Sequence, residues 1–156
     1  EGTTDFIFGA STCWFEDCTI LSKRDSYITA ASTPENEEFG YVFNRCRLIH
    51  NENATKVYLG RPWRSFAKTV FIGCELGDHI RPEGWHNWDK PYAEKTTFYA
   101  EYGSKGPGAE GTRVKWSHTL KAKDLKKYTP ENVLKCGAEQ DKNGVNVQTE
   151  WYFKVF

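Results

Sequence analysis

An aspartate and an arginine stand out because each lies in a stretch where a charge is costly. Asp5 is embedded in the apolar residues 2–9, GTTDFIFG, and Arg61 lies in the tight-turn sequence of residues 58–63, YLGRPW. An ionised carboxylate buried without a partner is strongly unfavourable. A guanidinium can bind that carboxylate through two hydrogen bonds and hold it ionised. The two residues therefore predict either an ion pair that fixes the fold or a pair that performs chemistry, and their spacing alone leaves both open.

The elements that must position this pair repeat along the chain. Cys18, Cys46 and Cys74 are 28 residues apart twice, and each follows a phenylalanine by three positions. Runs of β-forming residues alternate with Gly, Asn, Asp and Pro, which favours about three short strands per repeat. A fixed period arises when one unit buries its apolar face only against a stacked neighbour. We therefore predict a parallel β-helix, with a propeller as the weaker alternative because its blades need about 40–45 residues.

The cysteines of this repeat are expected to be core thiols stacked from coil to coil. The five cysteines of the chain include no CxxC pair. The four histidines are scattered along the sequence, so a zinc site is not expected. The odd number of cysteines leaves at least one thiol unpaired within the chain. The histidines are His50, His79, His86 and His118.

The architecture is expected to change after residues 98–102, where the repeat fades and a glycine-rich stretch follows at residues 103–111. Residues 119–128 predict a short helix whose lysines form a solvated face rather than an anion site. Thr129 followed by Pro130 predicts the N-cap and first position of a second helix that ends by Gly137. We expect these helices to cover the end of the coil. A polar turn at Asn143-Gly144 and a final strand over residues 151–156 complete the prediction.

Composition excludes several classes of protein. The 156 residues (18.0 kDa) are 38% hydrophobic and 15% aromatic, which is incompatible with a disordered chain. The 21 basic and 21 acidic residues cancel, so net charge gives no attraction to nucleic acid or to an anionic membrane. No apolar run approaches the ~20 residues of a spanning helix. Because Met is absent, we expect the chain to be an internal or C-terminal portion of a longer polypeptide.

Residues 2–9 and 59–63 together resemble two signature motifs of the pectin methylesterases, which are carbohydrate esterases. Further likeness lies in residues 84–88, 98–109 and 113–117, so that the resemblance extends from residue 2 to about residue 137. It implies an all-β, right-handed parallel β-helix with short C-terminal helices.

The resemblance also implies a domain organisation. The chain would be the C-terminal part of a single β-helix domain whose N-terminal coils are absent. The coils would occupy about residues 1–103, and the loop, helices and final strand about residues 104–156.

The resemblance also implies roles for individual residues. Asp5 matches the nucleophile that attacks the C6 methyl-ester carbonyl of homogalacturonan and forms an acyl intermediate that water hydrolyses. Arg61 matches the residue that orients this aspartate and keeps it charged. Trp63 and Phe8 match aromatic residues of the substrate cleft. Trp85 and Trp88 are weaker candidates, since either could wedge a long loop in place.

One part of the family's machinery has no match. The family uses a Gln-Asp-Thr-Leu-like motif upstream of the nucleophile, whose aspartate acts as general acid and then base and whose glutamines help to bind the oxyanion. No such motif precedes Asp5. We therefore expect the parent protein to be an esterase and these 156 residues alone to be nearly inactive.

Two other functions stay open at this point. A non-catalytic pectin-binding β-helix would keep the aromatic cleft, but it has no need for Asp5 and Arg61 together. A β-helix lyase would need a calcium site, and the acidic cluster of Glu35, Glu37 and Glu38 falls in a sequence typical of a solvated loop.

The resemblance implies no cofactor and no metal. The expected partner is pectin, and neither nucleic acid nor a membrane is expected to bind. The protein is expected to be a monomer located in the cell wall, in another extracellular setting or in the periplasm. Asn53 begins a glycosylation sequon, which has meaning only in a eukaryotic source.

Overall fold

The computed structural model describes residues 1–134 and, by backbone alone, the short strands Glu139–Gln140 and Asn146–Val147. Short strands dominate it. They are β1 (Ile7–Gly9), β2 (Cys13–Glu16), β3 (Thr19–Ser22), β4 (Tyr27–Ala31), β5 (Tyr41–Asn44), β6 (Arg47–His50), β7 (Tyr58–Gly60), β8 (Lys68–Ile72), β9 (Glu75–Leu76), β10 (Phe98–Tyr102), β11 (His118–Thr119), β12 (Glu139–Gln140) and β13 (Asn146–Val147).

The strands form three parallel sheets that wind around one core. The first sheet has the order β1-β4-β7, the second β2-β5-β8-β10-β11, and the third β3-β6-β9. Each of three successive coils contributes one strand to each sheet, which confirms the predicted parallel β-helix. The strands β12 and β13 pair with each other antiparallel.

The repeat seen in the sequence is a stack of side chains inside the coil. Phe15, Phe43 and Phe71 are register partners, with ring centroids 4.5 and 4.4 Å apart and ring planes within 8° of parallel. Cys46 and Cys74 are completely buried beside them. Burial raises the pKa of the Cys18 thiol, as expected of a packed, unreactive cysteine.

A left-handed residue before each cysteine turns the chain from the second sheet to the third. Asp17, Arg45 and Gly73 occupy this position with φ of 51°, 53° and 59°. Residues other than glycine rarely adopt this conformation, and aspartate tolerates it better than most. The turn recurs every 28 residues and sets the coil period. Arg45 also forms a bidentate, exposed ion pair with Asp17 of the preceding coil.

The phenylalanine stack ends where the sequence repeat fades. In β10, Glu101 is the register partner of Phe71. Trp85, from the loop before β10, fills the core instead: it is 1% exposed and stacks on Tyr99 at 4.3 Å. The second sheet nevertheless continues through β10 into β11.

The C-terminal helices differ in part from the prediction. Residues Ala122–Lys127 form a 3-10 helix, and α1 spans Pro130–Val133. Thr129 is the N-cap, as predicted, with its hydroxyl accepting a hydrogen bond from the Asn132 amide at 3.2 Å. These helices do not simply cover the coil end. They pack against the outer face of the second sheet through an apolar cluster of Phe39, Val42, Val70, Ala100, Leu120, Tyr128 and Val133.

Other predictions fall on the surface or outside the described residues. Glu35, Glu37 and Glu38 are exposed, as are the lysines at 121, 123, 126 and 127. Gly137, the Asn143-Gly144 turn and the strand over residues 151–156 lie outside the described residues. Within the described part, no helix is both long enough and apolar enough to cross a membrane.

Candidate active site

Asp5 lies just before β1 in a constrained conformation. Its φ is 47°, in the left-handed region, and its amide donates a hydrogen bond to the Tyr27 carbonyl at 2.8 Å. Such backbone conformations cost energy, and they cluster at functional sites. The bond to Tyr27 ties Asp5 to β4 of the next coil.

Arg61 follows β7, on the other side of β4. Its amide donates to the Thr29 carbonyl at 3.0 Å. Gly60 precedes it, and a Cβ at that position would collide with Thr29 Oγ1. Gly60 therefore allows the backbone to approach β4 closely enough to place Arg61.

Asp5 and Arg61 meet across two coils. Arg61 Nε donates to Asp5 Oδ1 at 3.0 Å and Nη2 to Oδ2 at 2.6 Å. The residues are 56 positions apart, which is two coil periods. Neighbouring strands are about 4.8 Å apart, so the side chains bridge roughly 10 Å of stacked backbone. The ion pair is largely buried, with side chains 19% and 18% exposed.

Aromatic rings cover both faces of the Arg61 guanidinium. Its Cζ lies 3.9 Å from the centroid of the Tyr27 ring and 3.6 Å from that of Trp88. Tyr27 is held in turn by stacking on Tyr58 at 5.2 Å. Trp88 reaches the site because it and the next residue are left-handed, with φ of 56° and 54°. This cage limits the movement of the guanidinium while its Nε and Nη2 bind the carboxylate.

A second buried ion pair provides a structural comparison. Glu101 and Arg113 also form two hydrogen bonds, at 2.7 and 3.1 Å, with side chains 15% and 17% exposed. Arg113 donates further bonds to the carbonyls of Pro82 and Gly108 and so ties loops together. Among the described residues, the hydrogen bonds of the Arg61 side chain go to Asp5 alone. The Arg113 side chain thus holds loops together, whereas the Arg61 side chain binds only the carboxylate of Asp5 among the described residues.

An open aromatic surface is formed by the two residues for which the family resemblance implies substrate binding. Phe8 and Trp63 are 65% and 40% exposed, and their ring centroids are 6.0 Å apart. Phe8 lies in β1, and the Trp63 amide donates to the Ala31 carbonyl at 3.0 Å. Exposed aromatic faces suit the apolar face of a sugar ring.

Lys90 joins this surface to the arginine cage. Its Nζ donates to the carbonyls of Pro62 and Trp63 at 3.1 and 3.0 Å, and it lies 4.5 Å from the Trp88 ring centroid. Partial burial, together with the charges of Arg64 and Arg61, lowers the pKa of Lys90.

Comparison with known proteins identifies the family. The sequence model of the family described as Pectinesterase matches residues 1–137. Pectinesterase 31 of Arabidopsis thaliana is 42% identical over 122 residues, which cover 77% of this chain and 38% of that protein. The chain belongs to the pectinesterase family.

Solved structures agree with this assignment. The pectin methylesterase from carrot matches with a TM-score of 0.79 at 28% identity, covering 94% of this chain and 51% of that one. A pectin methylesterase in complex with a hexasaccharide matches with a TM-score of 0.68 at 26% identity, covering 85% of this chain and 48% of that one. The chain therefore spans about half the length of these structures, and 38% of the Arabidopsis relative.

In this pectinesterase chain, the structure brings Asp5 into contact with Arg61 and Phe8 into contact with Trp63. Trp85 and Trp88 have different positions: Trp85 is a core residue, whereas Trp88 covers the arginine. Sequence reasoning missed the contribution of Tyr27. Tyr27 is the direct register partner of Tyr58, and the two tyrosines lie 31 residues apart in the sequence, close to one coil period.

Proposed function

We propose that this chain carries the nucleophile of a pectin methylesterase that hydrolyses the C6 methyl esters of homogalacturonan to pectate and methanol. The observation that carries the proposal is the caged, bidentate Asp5–Arg61 ion pair beside an open aromatic surface. The membership of the family and the hexasaccharide bound by a structural relative support pectin as the substrate class.

In this proposal Asp5 attacks the ester carbonyl carbon. A carboxylate has about four lone-pair sites, so Arg61 leaves others available for attack. The bond to the methoxy oxygen breaks, a general acid protonates the leaving methoxide, and a mixed anhydride of Asp5 and the galacturonate remains. Water then hydrolyses the anhydride, which releases the product acid and restores the Asp5 carboxylate.

Arg61 acts as an orienting residue. Two hydrogen bonds and two aromatic contacts hold the carboxylate in one plane, which lowers the entropic cost of reaching the attack geometry. Phe8 and Trp63 would bind the sugar next to the reacting ester.

The general acid is proposed to lie outside these 156 residues, upstream of Asp5 in the N-terminal coils of a longer β-helix domain whose C-terminal part is this chain. Without an acid, methoxide leaves unassisted, and loss of general acid catalysis costs about 10²–10⁴-fold in rate. We therefore propose that the chain alone is nearly inactive. Equal methanol release per mole by the 156-residue chain and by the parent protein would contradict this point.

The parent protein is proposed to act as a secreted monomer, in the cell wall, another extracellular setting or the periplasm. Size-exclusion chromatography with light scattering tests the monomer, and fractionation of the source tissue or culture tests the location.

Trapping the intermediate tests the mechanism. The parent protein is mixed with methylated oligogalacturonate, quenched in acid and digested, and the peptide that contains Asp5 is weighed by mass spectrometry. The proposal predicts that the mass of the whole oligogalacturonate, less methanol, is added to this peptide, together with released methanol. Unsaturated product would indicate a lyase, and saturable binding with neither product would indicate a binding module.

A further inference from the structure

The third sheet ends in a cluster of two histidines and an aspartate. His50 is the last residue of β6, and Asp78 and His79 follow β9 in the next coil. Each residue offers one donor atom, and these atoms lie within 4.8 Å of one another. The cluster is on a different sheet from Asp5 and Arg61, so the proposed ester chemistry does not use it.

His79 lacks the partners that a buried histidine normally has. The residue is 1% exposed, and within residues 1–134 neither ring nitrogen has a hydrogen-bond partner. Its ring stacks on that of His50, with centroids 4.5 Å apart. Buried polar side-chain atoms are usually hydrogen-bonded, and an exception calls for an explanation such as an ion.

The other two residues connect the cluster to solvent. His50 Nε2 lies 2.9 Å from Asp78 Oδ1, and the two side chains are 30% and 73% exposed. A groove of about 210 Å³ opens beside them. An ion could therefore enter from the surface and keep a water ligand there.

We propose that His50, Asp78 and His79 bind one divalent transition-metal ion, with Zn²⁺ the best match. Two imidazole nitrogens and one carboxylate oxygen with an open fourth position are a common zinc ligand set, whereas Mg²⁺ and Ca²⁺ prefer oxygen ligands. Zinc–ligand bonds of about 2.0–2.2 Å require the three donor atoms to lie closer together than the 4.8 Å within which they now lie. The half-buried side chain of His50 and the exposed side chain of Asp78 must rotate towards His79 when the ion binds.

The ion would join two consecutive coils. Because it binds the folded chain, its main effect would be to raise thermal stability, by an amount that grows with the logarithm of the free ion concentration above the Kd. The histidines are scattered in the sequence, but His50 and Asp78 are separated by one coil period, which places them side by side. The expectation from the sequence that there is no zinc site did not take this period into account.

Isothermal titration of the chelator-treated protein with ZnCl₂ tests the site. We expect one Zn²⁺ per chain and a higher melting temperature with Zn²⁺ than with Mg²⁺. His50→Gln and Asp78→Asn change surface side chains and should fold normally, and each should weaken binding about tenfold or more, as for loss of groups that support a metal. His118→Gln, an exposed histidine outside the cluster, is the control and should bind as the wild type does.

Co²⁺ provides a second readout, which distinguishes an ion bound at the cluster from an ion bound by cysteine thiolates. Co²⁺ bound at the cluster should give visible absorption without a thiolate charge-transfer band, and the absorption should be lost in His50→Gln. A thiolate band, absence of stoichiometric binding, or unchanged affinity in both cluster variants would overturn the proposal.

Discussion

The Trp88 indole lies over the Arg61 guanidinium, with 3.6 Å between Cζ and the ring centroid. Tyr27 covers the opposite face at 3.9 Å. The arginine is thus fixed by aromatic contacts on its faces and by the Asp5 carboxylate at its edge. This arrangement makes Trp88 a positioning residue, and it leads to the first prediction.

Trp88→Leu should lower kcat without unfolding the protein. A cation–π contact is worth about 0.5–2 kcal/mol, which corresponds to a loss of about 2- to 30-fold in rate. Methanol release by the parent protein gives the rate, and substrate binding should change less than kcat. Trp14→Leu removes an indole far from Arg61 and should leave kcat unaltered. Equal kcat in the wild type and in Trp88→Leu would show that the cage has no role in the reaction.

Arg61→Lys should keep the positive charge and lose the bidentate geometry. A hydrogen bond to a charged group contributes about 1.5–3 kcal/mol, so the rate should fall about 10- to 100-fold. Arg45→Lys changes the exposed pair with Asp17 and is the matched control, for which no loss of activity is expected. If Arg61→Lys were as active as the wild type, charge alone would suffice and the orienting role would be wrong.

Phe8→Ala should weaken substrate binding rather than chemistry. The ring is 65% exposed, so its removal leaves the fold intact. An aromatic contact worth about 1 kcal/mol would raise KM for methylated oligogalacturonate about fivefold. Ile49→Ala, an exposed apolar residue on the third sheet, should leave KM unchanged. A lower kcat at constant KM would place Phe8 in the catalytic step instead.

Phe43→Ala should destabilise the coil strongly. Phe43 is fully buried and stacks on Phe15 and Phe71. Removal of a buried phenylalanine costs about 3–5 kcal/mol in the free energy of unfolding. Urea denaturation measures it, with Phe8→Ala as the exposed control. A loss below about 1 kcal/mol would mean that the stack contributes little to stability.

Alkaline pH should destabilise the protein through three buried tyrosines, because burial raises the pKa of Tyr99 as well as that of Tyr41 and Tyr128. Burial raises the pKa of Tyr41 to about 12 and that of Tyr128 to about 12, against about 10 in an unfolded chain. Between these values the folded chain binds more protons than the unfolded chain. The stabilisation is therefore complete below about pH 10 and is lost as pH rises towards 12.

Urea denaturation across this pH range measures the effect. The free energy of unfolding should fall by up to about 2–3 kcal/mol per tyrosine. Tyr41→Phe should show a smaller pH dependence than the wild type. Identical slopes in the two proteins would exclude Tyr41 as a source.

The sequence predicted the coil because its repeating residues face the core. Cys46 and Cys74 recur at the coil period, since each must pack on the residue one turn below. The Asp5–Arg61 contact could also be inferred, because an embedded acid needs a partner. Their separation is a multiple of the same period.

The arginine cage could not be predicted in the same way. Trp88 reaches Arg61 through two successive left-handed residues in a loop outside the repeat. The pairing of His50 with Asp78 was missed for a different reason: their distance along the chain hides their proximity across adjacent coils. Val42 and Val70 face outwards from the second sheet. Their positions in the sequence did not predict that the C-terminal helices would pack on this outer face.

The central claim is that Asp5 is the nucleophile, and methanol release by Asp5→Asn in the parent protein tests it most directly. Asp17→Asn is the matched control, because Asp17 is also left-handed and also paired with an arginine. With both variants folded, we expect Asp5→Asn to lose at least about 10³-fold in rate and Asp17→Asn to retain wild-type activity. Methanol release by Asp5→Asn within about tenfold of the wild-type rate would contradict the assignment.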